Sequence, residues 1–384
     1  MSRYGPATPC SCPEAMHAPT LAGVLGMLLS VSVQADRFEH ALAATLNTEY
    51  DSNAAMSAAS SDAIWRVSLT PSYSLLRTSG ADSWNARLGL SLERSSDPEL
   101  SIGREDPTLT LNWSRQFPAG SFGITASHVE ASTRVAELQD SGLVAADGSR
   151  IDQSLAANWS RALSDRRNLS LNLGHVGVSY RGGTLTDYAT LSAGATLRQA
   201  WSERSEPYLR FSASHYAPET TGNSSDSFDL LAGVKLTGSY RLNLDLAGGW
   251  NLTEAQTSRS GWQGSLKLNY AMDERASFVF DLSRSVASSG VGGFVESDQL
   301  NASWTQALSE RQTIGANLTW RASQSATTGD TRTFNLWSSR ALDDFWSLRF
   351  SYLYKQREGG GLPEASGHVL GLALSYSHPD FLDL

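Results

Sequence analysis

The sequence predicts an all-β protein, a transmembrane antiparallel up-and-down β-barrel, and three observations carry that prediction. Hydrophobic residues alternate with polar ones over nearly the whole chain, the alternating runs are longer than ordinary globular strands, and their connections are short and long by turns. Hydrophobic residues make up only 40 % of the 384 residues, and charged ones 18 %. A chain can be that polar and still sit in a bilayer if only every second side chain meets lipid.

From Ala41 onward the period is two. Trp84, Ala86, Leu88, Leu90 and Leu92 point one way, and Asn85, Arg87, Gly89, Ser91 and Glu93 the other. Leu242, Leu244 and Leu246 oppose Asn243 and Asp245; Trp346, Leu348, Phe350 and Tyr352 oppose Arg349 and Ser351. Such runs number about 18 (16–18), each of roughly 10 to 15 residues, against about 5 to 6 for a typical globular strand. In lipid each backbone N–H and C=O needs a partner within the chain, which calls for closure. The last run, His368–Tyr376, is expected to pair with the first, Ala41–Asp51.

An internal repeat marks one end of the barrel. Asn112-Trp113-Ser114-Arg115 recurs around Trp159, Trp304 and Trp337, more loosely around Tyr270, and as a fragment at Trp201. The spacings from Trp113 to Trp159 (46), Tyr270 to Trp304 (34) and Trp304 to Trp337 (33) each fit one strand pair with its connections. Each copy reads as an interface aromatic followed by a tight polar turn, so Trp113, Trp159, Trp201, Tyr270, Trp304 and Trp337 are expected at the membrane–water boundary, with the turns facing the periplasm. The opposite connections, Ser52–Asp62, Ala136–Arg150, Ala217–Ser225, Ala287–Glu296 and Glu358–Ser366, are rich in Gly, Ser and Asp and read as extracellular loops. Leu169, Leu171 and Leu173 share a phase that Val176, Val178 and Tyr180 break, which predicts a β-bulge at Gly174-His175.

Residues 1–35 read as a cleaved signal peptide. Leu21–Val33 is an apolar core too short to span a bilayer, and Val33-Gln34-Ala35 is a small-residue cleavage site; Met16 is an alternative start. Residues 36–384 then form one barrel domain. Both cysteines, Cys10 and Cys12, precede the cut, which excludes disulfides, Cys-ligated zinc and thiol chemistry from the mature chain. The net charge of -9 argues against a nucleic-acid partner.

A search for chemistry predicts no enzyme, no cofactor and no metal. The histidines of the mature chain match no metal-ligand spacing, and no Gly-x-Ser-x-Gly elbow occurs. His128 and His215 fall near outer strand ends, where an interface or loop role is the plain reading. Asp140, Asp147 and Asp152 lie in or beside the longest loop and could bind a divalent cation, but their spacing matches no calcium motif and a solvated loop is the plainer reading; the glycines of Ser288–Gly293 and Gly359–Gly361 precede no helix that could cradle phosphate. Strand phase points Arg66, Arg87, Glu93, Arg210, Asp245, Lys267, Asp281, Arg321 and Arg349 into the lumen, because a midplane Arg or Lys in lipid would cost about 2–4 kcal/mol. These charges either line a hydrated pore or pair with one another to knit the wall.

Thr48-Glu49-Tyr50-Asp51-Ser52-Asn53 on the first strand and the repeated Trp-Ser-Arg-x-Leu-Ser-Asp/Glu-Arg strand end carry a resemblance to porin-like outer-membrane barrels of Gram-negative bacteria, in particular those found with exopolysaccharide or exosortase-type loci. The resemblance implies an outer-membrane channel passing small hydrophilic or saccharide solutes. Its alternative is an accessory barrel for exopolysaccharide or protein secretion and surface assembly. Outer-membrane lipid and lipopolysaccharide are the implied surroundings, and a periplasmic or surface-assembly partner belongs to the second reading. The oligomeric state carries no signature in the sequence.

Overall fold

The structure is a computed structural model that describes residues 37–384 except 59–61, 141–147, 183–184, 220–221, 325–328, 360–361, 380 and 382–384. The signal segment and its cut, Asp147 and Gly360-Gly361 lie outside the described residues, as does the side chain of Asp140.

Eighteen strands form one sheet: β1 (Arg37–Asp51), β2 (Ile64–Ser79), β3 (Asp82–Ser95), β4 (Arg104–Phe117), β5 (Gly120–Ser132), β6 (Ser149–Ser164), β7 (Arg167–Arg181), β8 (Tyr188–Gln199) and β9 (Ser205–Pro218), then β10 (Ser225–Ser239), β11 (Leu242–Glu254), β12 (Arg259–Ala271), β13 (Ala276–Ser288), β14 (Phe294–Ser309), β15 (Gln312–Gln324), β16 (Gly329–Ala341), β17 (Trp346–Gly359) and β18 (Leu362–Pro379). Each pairs antiparallel with its sequence neighbours, and β18 pairs with β1 from Ala41↔Pro379 to Asp51↔Val369, which closes the barrel and removes both edges. Among the described residues one helix, α1 (Thr133–Asp140), interrupts the connection between β5 and β6.

The periplasmic turns follow even-numbered strands, and their chemistry explains the repeat. In three two-residue turns the serine that ends the strand accepts the backbone N–H of the arginine two positions on: Ser164 from Arg166, Ser239 from Arg241 and Ser309 from Arg311. A register shift beside each serine fits the tight turn to the strand twist. Where aspartate replaces serine the turn is longer. Asp273 accepts from Arg275 and Ala276 N–H, and Asp343 from Phe345 and Trp346 N–H. The extracellular connections range from two residues (360–361) to sixteen (133–148).

Two expectations are corrected. No bulge occurs at Gly174-His175: β7 keeps one register with β6 from Arg181 down to Asn168 and with β8 along its whole pairing. The phase break is real, but the strand does not bend. Leu171 and Leu173 face lipid, whereas Val176, Val178 and Tyr180 face inward and pack on Tyr188, Tyr216 and Phe294. Nor is Glu358–Ser366 a loop throughout: Glu358 and Gly359 belong to β17, and Leu362 to Ser366 belong to β18.

The outer surface is the apolar one. Leu88, Leu173, Leu230 and Leu372 all stand about half exposed on the outward parity of their strands, which only a lipid environment makes favourable. Aromatic pairs flank this belt, Tyr50–Trp65 at the extracellular end and Trp84–Trp113 at the periplasmic end. We expect Leu88→Arg, near the middle of β3, to destabilise the barrel by about 2–4 kcal/mol in bilayer refolding titrations, and Thr110→Arg, on the inward face of β4, to cost far less. Equal costs at the two positions would invalidate the facing.

Candidate functional site: a narrowed lumen

The inner wall is polar, and three segments fold onto it at the extracellular end. The first is the connection after β1. Asn53 holds it down, donating from Nδ2 to Ser57 O (2.8 Å) and Ser366 O (2.9 Å) and accepting from Ser57 N–H (3.0 Å). Met56 and Ala54 are buried as a result, and Arg357 donates to Met56 O. Beneath them Asp51, 1 % exposed, accepts from Lys355 Nζ at 2.8 Å and Arg66 at 3.3 Å, while Arg66 also pairs with Glu49. Two carboxylates and two cations from β1, β2 and β17 thus share one buried network.

The second segment is α1. Glu137, 1 % exposed, accepts from Arg150 (3.1 Å) and from the Tyr180 hydroxyl (2.8 Å). Arg150 bridges onward to Asp152 at 2.9 Å. Arg134 donates to Ser101 Oγ, and Arg104 engages both Asp106 oxygens and Gly148 O. Buried charge is tolerated when paired in this way. Asp152, which the sequence leaves open as a cation ligand, is engaged by Arg150.

The third is the tip of the β13–β14 hairpin. Tyr188 and Tyr216 stack at 5.0 Å on the inner wall, Phe294 packs 6.1 Å from Tyr216, and Gly290 lies against Tyr180. Tyr180 therefore touches both α1, through its hydroxyl, and the hairpin, through its ring.

Two cavities bounded by described residues lie along the lumen. The upper one, about 520 Å³, is bounded by Asp51, Arg66, Arg134 and Lys355 on one side and by Gln299, Asn301, Asn317, Thr319, Thr331 and Thr333 on the other. The lower one, about 660 Å³ near the periplasmic turns, is lined by Ser114, Asn158, Asn172, Thr196, Arg198 and Arg210, among others. Carboxamides and hydroxyls dominate the lower cavity; in the upper one they share the wall with charged side chains and with Ala54, Met56, Leu353 and Val369. Such a surface exchanges hydrogen bonds with water or with a hydrophilic solute at little net cost.

The nine charged residues singled out by strand phase all take inward register positions. Arg66 lies in the network just described, and Glu93 neighbours it on β3. Arg87 is exposed to the lumen on β3. Arg210 stands 5.5 Å over the Tyr208 ring, and Tyr208 donates to Asp245 at 2.7 Å. Lys267 sits opposite both Asp245 and Asp281 in the register. Arg321 donates to Gln299, and Arg349 lies 4.4 Å over the Trp337 ring. Some of these charges knit the wall and others, such as Arg87, face open space.

Of the six interface aromatics, Trp113, Trp159, Tyr270 and Trp304 lie on the outward parity near the periplasmic turns, and Trp201 is 71 % exposed in the turn between β8 and β9. Trp337 does not face lipid. Phe334 and Leu336 claim the outer face of β16, so Trp337 takes the inner face, where Gly315 leaves room for its ring and Arg349 covers it. In brominated-lipid vesicles, Trp113→Phe should remove quenchable fluorescence and Trp337→Phe should not; the reverse order would return Trp337 to the lipid face.

His215 and Asp226 form a 2.8 Å pair on the outer wall. The other cross-strand neighbour of His215 is Leu191, and His128 faces Leu109 and Gln153, so no hydroxyl nucleophile opposes either histidine across the strands.

No family model matches the sequence, and no curated protein matches it. Solved structures do. The Pseudomonas aeruginosa outer membrane protein OpdK aligns over 89 % of this chain and 99 % of its own, with TM-score 0.51 and 10 % identity. OccK2 (OpdF) of the same organism covers 89 % and 98 %, with TM-score 0.51 and 11 % identity. OpdQ, also from that organism, covers 90 % and 100 %, with TM-score 0.50 and 9 % identity. At such identity the likeness establishes the fold, a closed 18-stranded antiparallel barrel like those of these proteins. With the apolar outer belt, it places the chain in the bacterial outer membrane.

Proposed function

We propose that this chain is a passive outer-membrane channel for small hydrophilic solutes, saccharides among them, working without cofactor or chemical step. The observation that carries the reading is a polar lumen that inward-folded segments narrow without filling, leaving cavities of about 520 and 660 Å³ whose walls present carboxamides, hydroxyls and charged side chains. Eighteen strands enclose enough width for an aqueous path. The porin fold of its structural neighbours agrees with this. The other reading, an accessory barrel for exopolysaccharide or protein secretion, rests on the strand-end repeat and Thr48–Asn53. The inward position of α1 and the hairpin favours small solutes over a polymer.

Liposome swelling with uncharged sugars tests the proposal. A hexose should enter proteoliposomes readily, with rates falling steeply through di- and trisaccharides. Absence of uptake for every sugar, from barrels shown to be folded, would sink it.

A further inference from the structure

The two ends of the outer wall treat their cations differently. Toward the extracellular end, four outward arginines each meet a carboxylate: Arg94 pairs with Glu105 at 3.2 Å, Arg181 with Glu130 at 3.1 Å, Arg284 with Asp298 at 2.6 Å and Arg332 with Glu358 at 3.4 Å. Toward the periplasmic turns, Asp82 is the only carboxylate on the outward parity of the described strand residues, and it lies 3.8 Å from Arg115. Arg161 on β6 and Arg340 on β16 also take outward positions there, and neither guanidinium has an ion pair or hydrogen bond among the described residues. A cation on the lipid side of the wall calls for a counter-charge, and the protein supplies none at these two places.

Arg161 borders a dent in the outer wall. Across the strands it faces Gly120 on β5 and Leu169 on β7. A Cβ on Gly120 would collide with Ser160 O, so no side chain fills the space beside the guanidinium. The resulting cavity, about 270 Å³, is floored by Pro118, Ala119 and Gly120 and walled by Phe117, Trp159 and Arg161. Toward the midplane the outward row continues as Phe122, Ile124 and Leu171. A cation and an indole at the interface, with an apolar wall on the midplane side, complement a phospholipid whose headgroup points to the periplasm.

We propose that Arg161 and this dent hold the headgroup of an anionic phospholipid from the inner leaflet. The guanidinium donates to two phosphate oxygens, a geometry that its planar fork suits. Trp159 packs beside the glycerol, and the acyl chains lie along Phe122, Ile124 and Leu171. The strand-end repeat acquires a task in this way. Trp159-Ser160-Arg161 sets indole and guanidinium two residues apart, hence on one face of the strand. The copy on β16 keeps the outward cation even though its indole turns inward: the arginine comes three residues after Trp337, at Arg340, which restores the facing. Arg340 borders a cavity of about 420 Å³ with Ser309, Glu310, Arg311 and Gln312, a second place of the same kind.

Photo-cross-linking tests this, with a phosphatidylglycerol that carries a diazirine on its headgroup, in vesicles of phosphatidylglycerol and phosphatidylcholine. Peptide mapping of the refolded barrel should find the label concentrated on residues 117–120 and 159–161. Arg161→Gln should lower that labelling severalfold and Arg161→Lys should restore part of it. Arg94→Gln, which removes a paired arginine at the other end of the wall, should leave it unchanged. Arg340→Gln should remove labelling around the β14–β15 turn and leave that at Arg161. Unlabelled phosphatidylglycerol should displace the probe, and phosphatidylcholine, whose phosphate already neighbours its own cation, should displace it far less. Native labelling in a folded Arg161→Gln barrel, or equal displacement by the two lipids, overturns the proposal. Displacement by inorganic phosphate alone would reveal a site for free anions and would overturn it too.

Discussion

Glu137→Ala is expected to release α1 from the lumen wall and raise the single-channel conductance. Glu137 is 1 % exposed and is held by Arg150 and Tyr180. Removing one partner of a buried ion pair typically costs about 3–5 kcal/mol, because the remaining charge is left without compensation. An eight-residue helix cannot hold its shape without its docking. The barrel should survive, since α1 takes no part in the ladder. Heat-resistant gel mobility should stay native while the β5–β6 connection becomes sensitive to protease. Tyr180→Phe removes only one hydrogen bond to a charged group, worth about 1.5–3 kcal/mol, and should open the lumen less. Native conductance and native protease resistance in Glu137→Ala would show that α1 is held by something else.

Asp51→Ala should have the second large effect, on selectivity. Asp51 is 1 % exposed and serves both Lys355 and Arg66. Its loss makes the upper cavity one unit more positive and takes from Lys355 the carboxylate it contacts. The reversal potential in a salt gradient should move toward anion preference, more at low salt than at high, as screening dictates. Stability should fall by about 3–5 kcal/mol. Asp51→Ala with Lys355→Met removes one charge of each sign and should return both properties toward native, the signature of a coupled pair. Additive effects of the two substitutions would dissolve the network as described.

Much of this fold was legible because lipid enforces alternation. Along Trp84–Glu93 or Leu242–Leu246 each second residue is apolar, and the strands lie where that pattern puts them. Where water bathes both faces, the pattern fades. Leu362-Pro363-Glu364-Ala365-Ser366 reads as a loop yet is strand, because β17 and β18 extend beyond the apolar belt and no lipid face demands alternation there. The phase break in β7 was visible, but its cause was not. A bulge and an apolar patch on the inner wall give the same pattern, and only Tyr188 and Tyr216 on neighbouring strands decide between them. Trp337 misled because its motif copies that of Trp304, while its strand phase is set by Phe334 and Leu336.

The lumen charges were legible as a facing and not as a network. Arg66 and Arg321 could be assigned inward from their own strands. Asp51 and Lys355 meet only because β18 closes on β1, 304 residues apart in sequence. Glu137 and Arg134 sit in a connection with no alternation to orient them, so nothing local marked them as lumen residues.

The most direct test of the account is the single-channel conductance of the refolded chain, residues 36–384, in a planar bilayer. A hydrated lumen, narrowed but continuous, predicts stable unit conductance, with ion preference that shifts when the lumen-exposed Arg87 is replaced by glutamine. A natively folded barrel that passes no current would mean that α1, the β1–β2 connection and the β13–β14 hairpin seal the lumen, and the channel reading would fall.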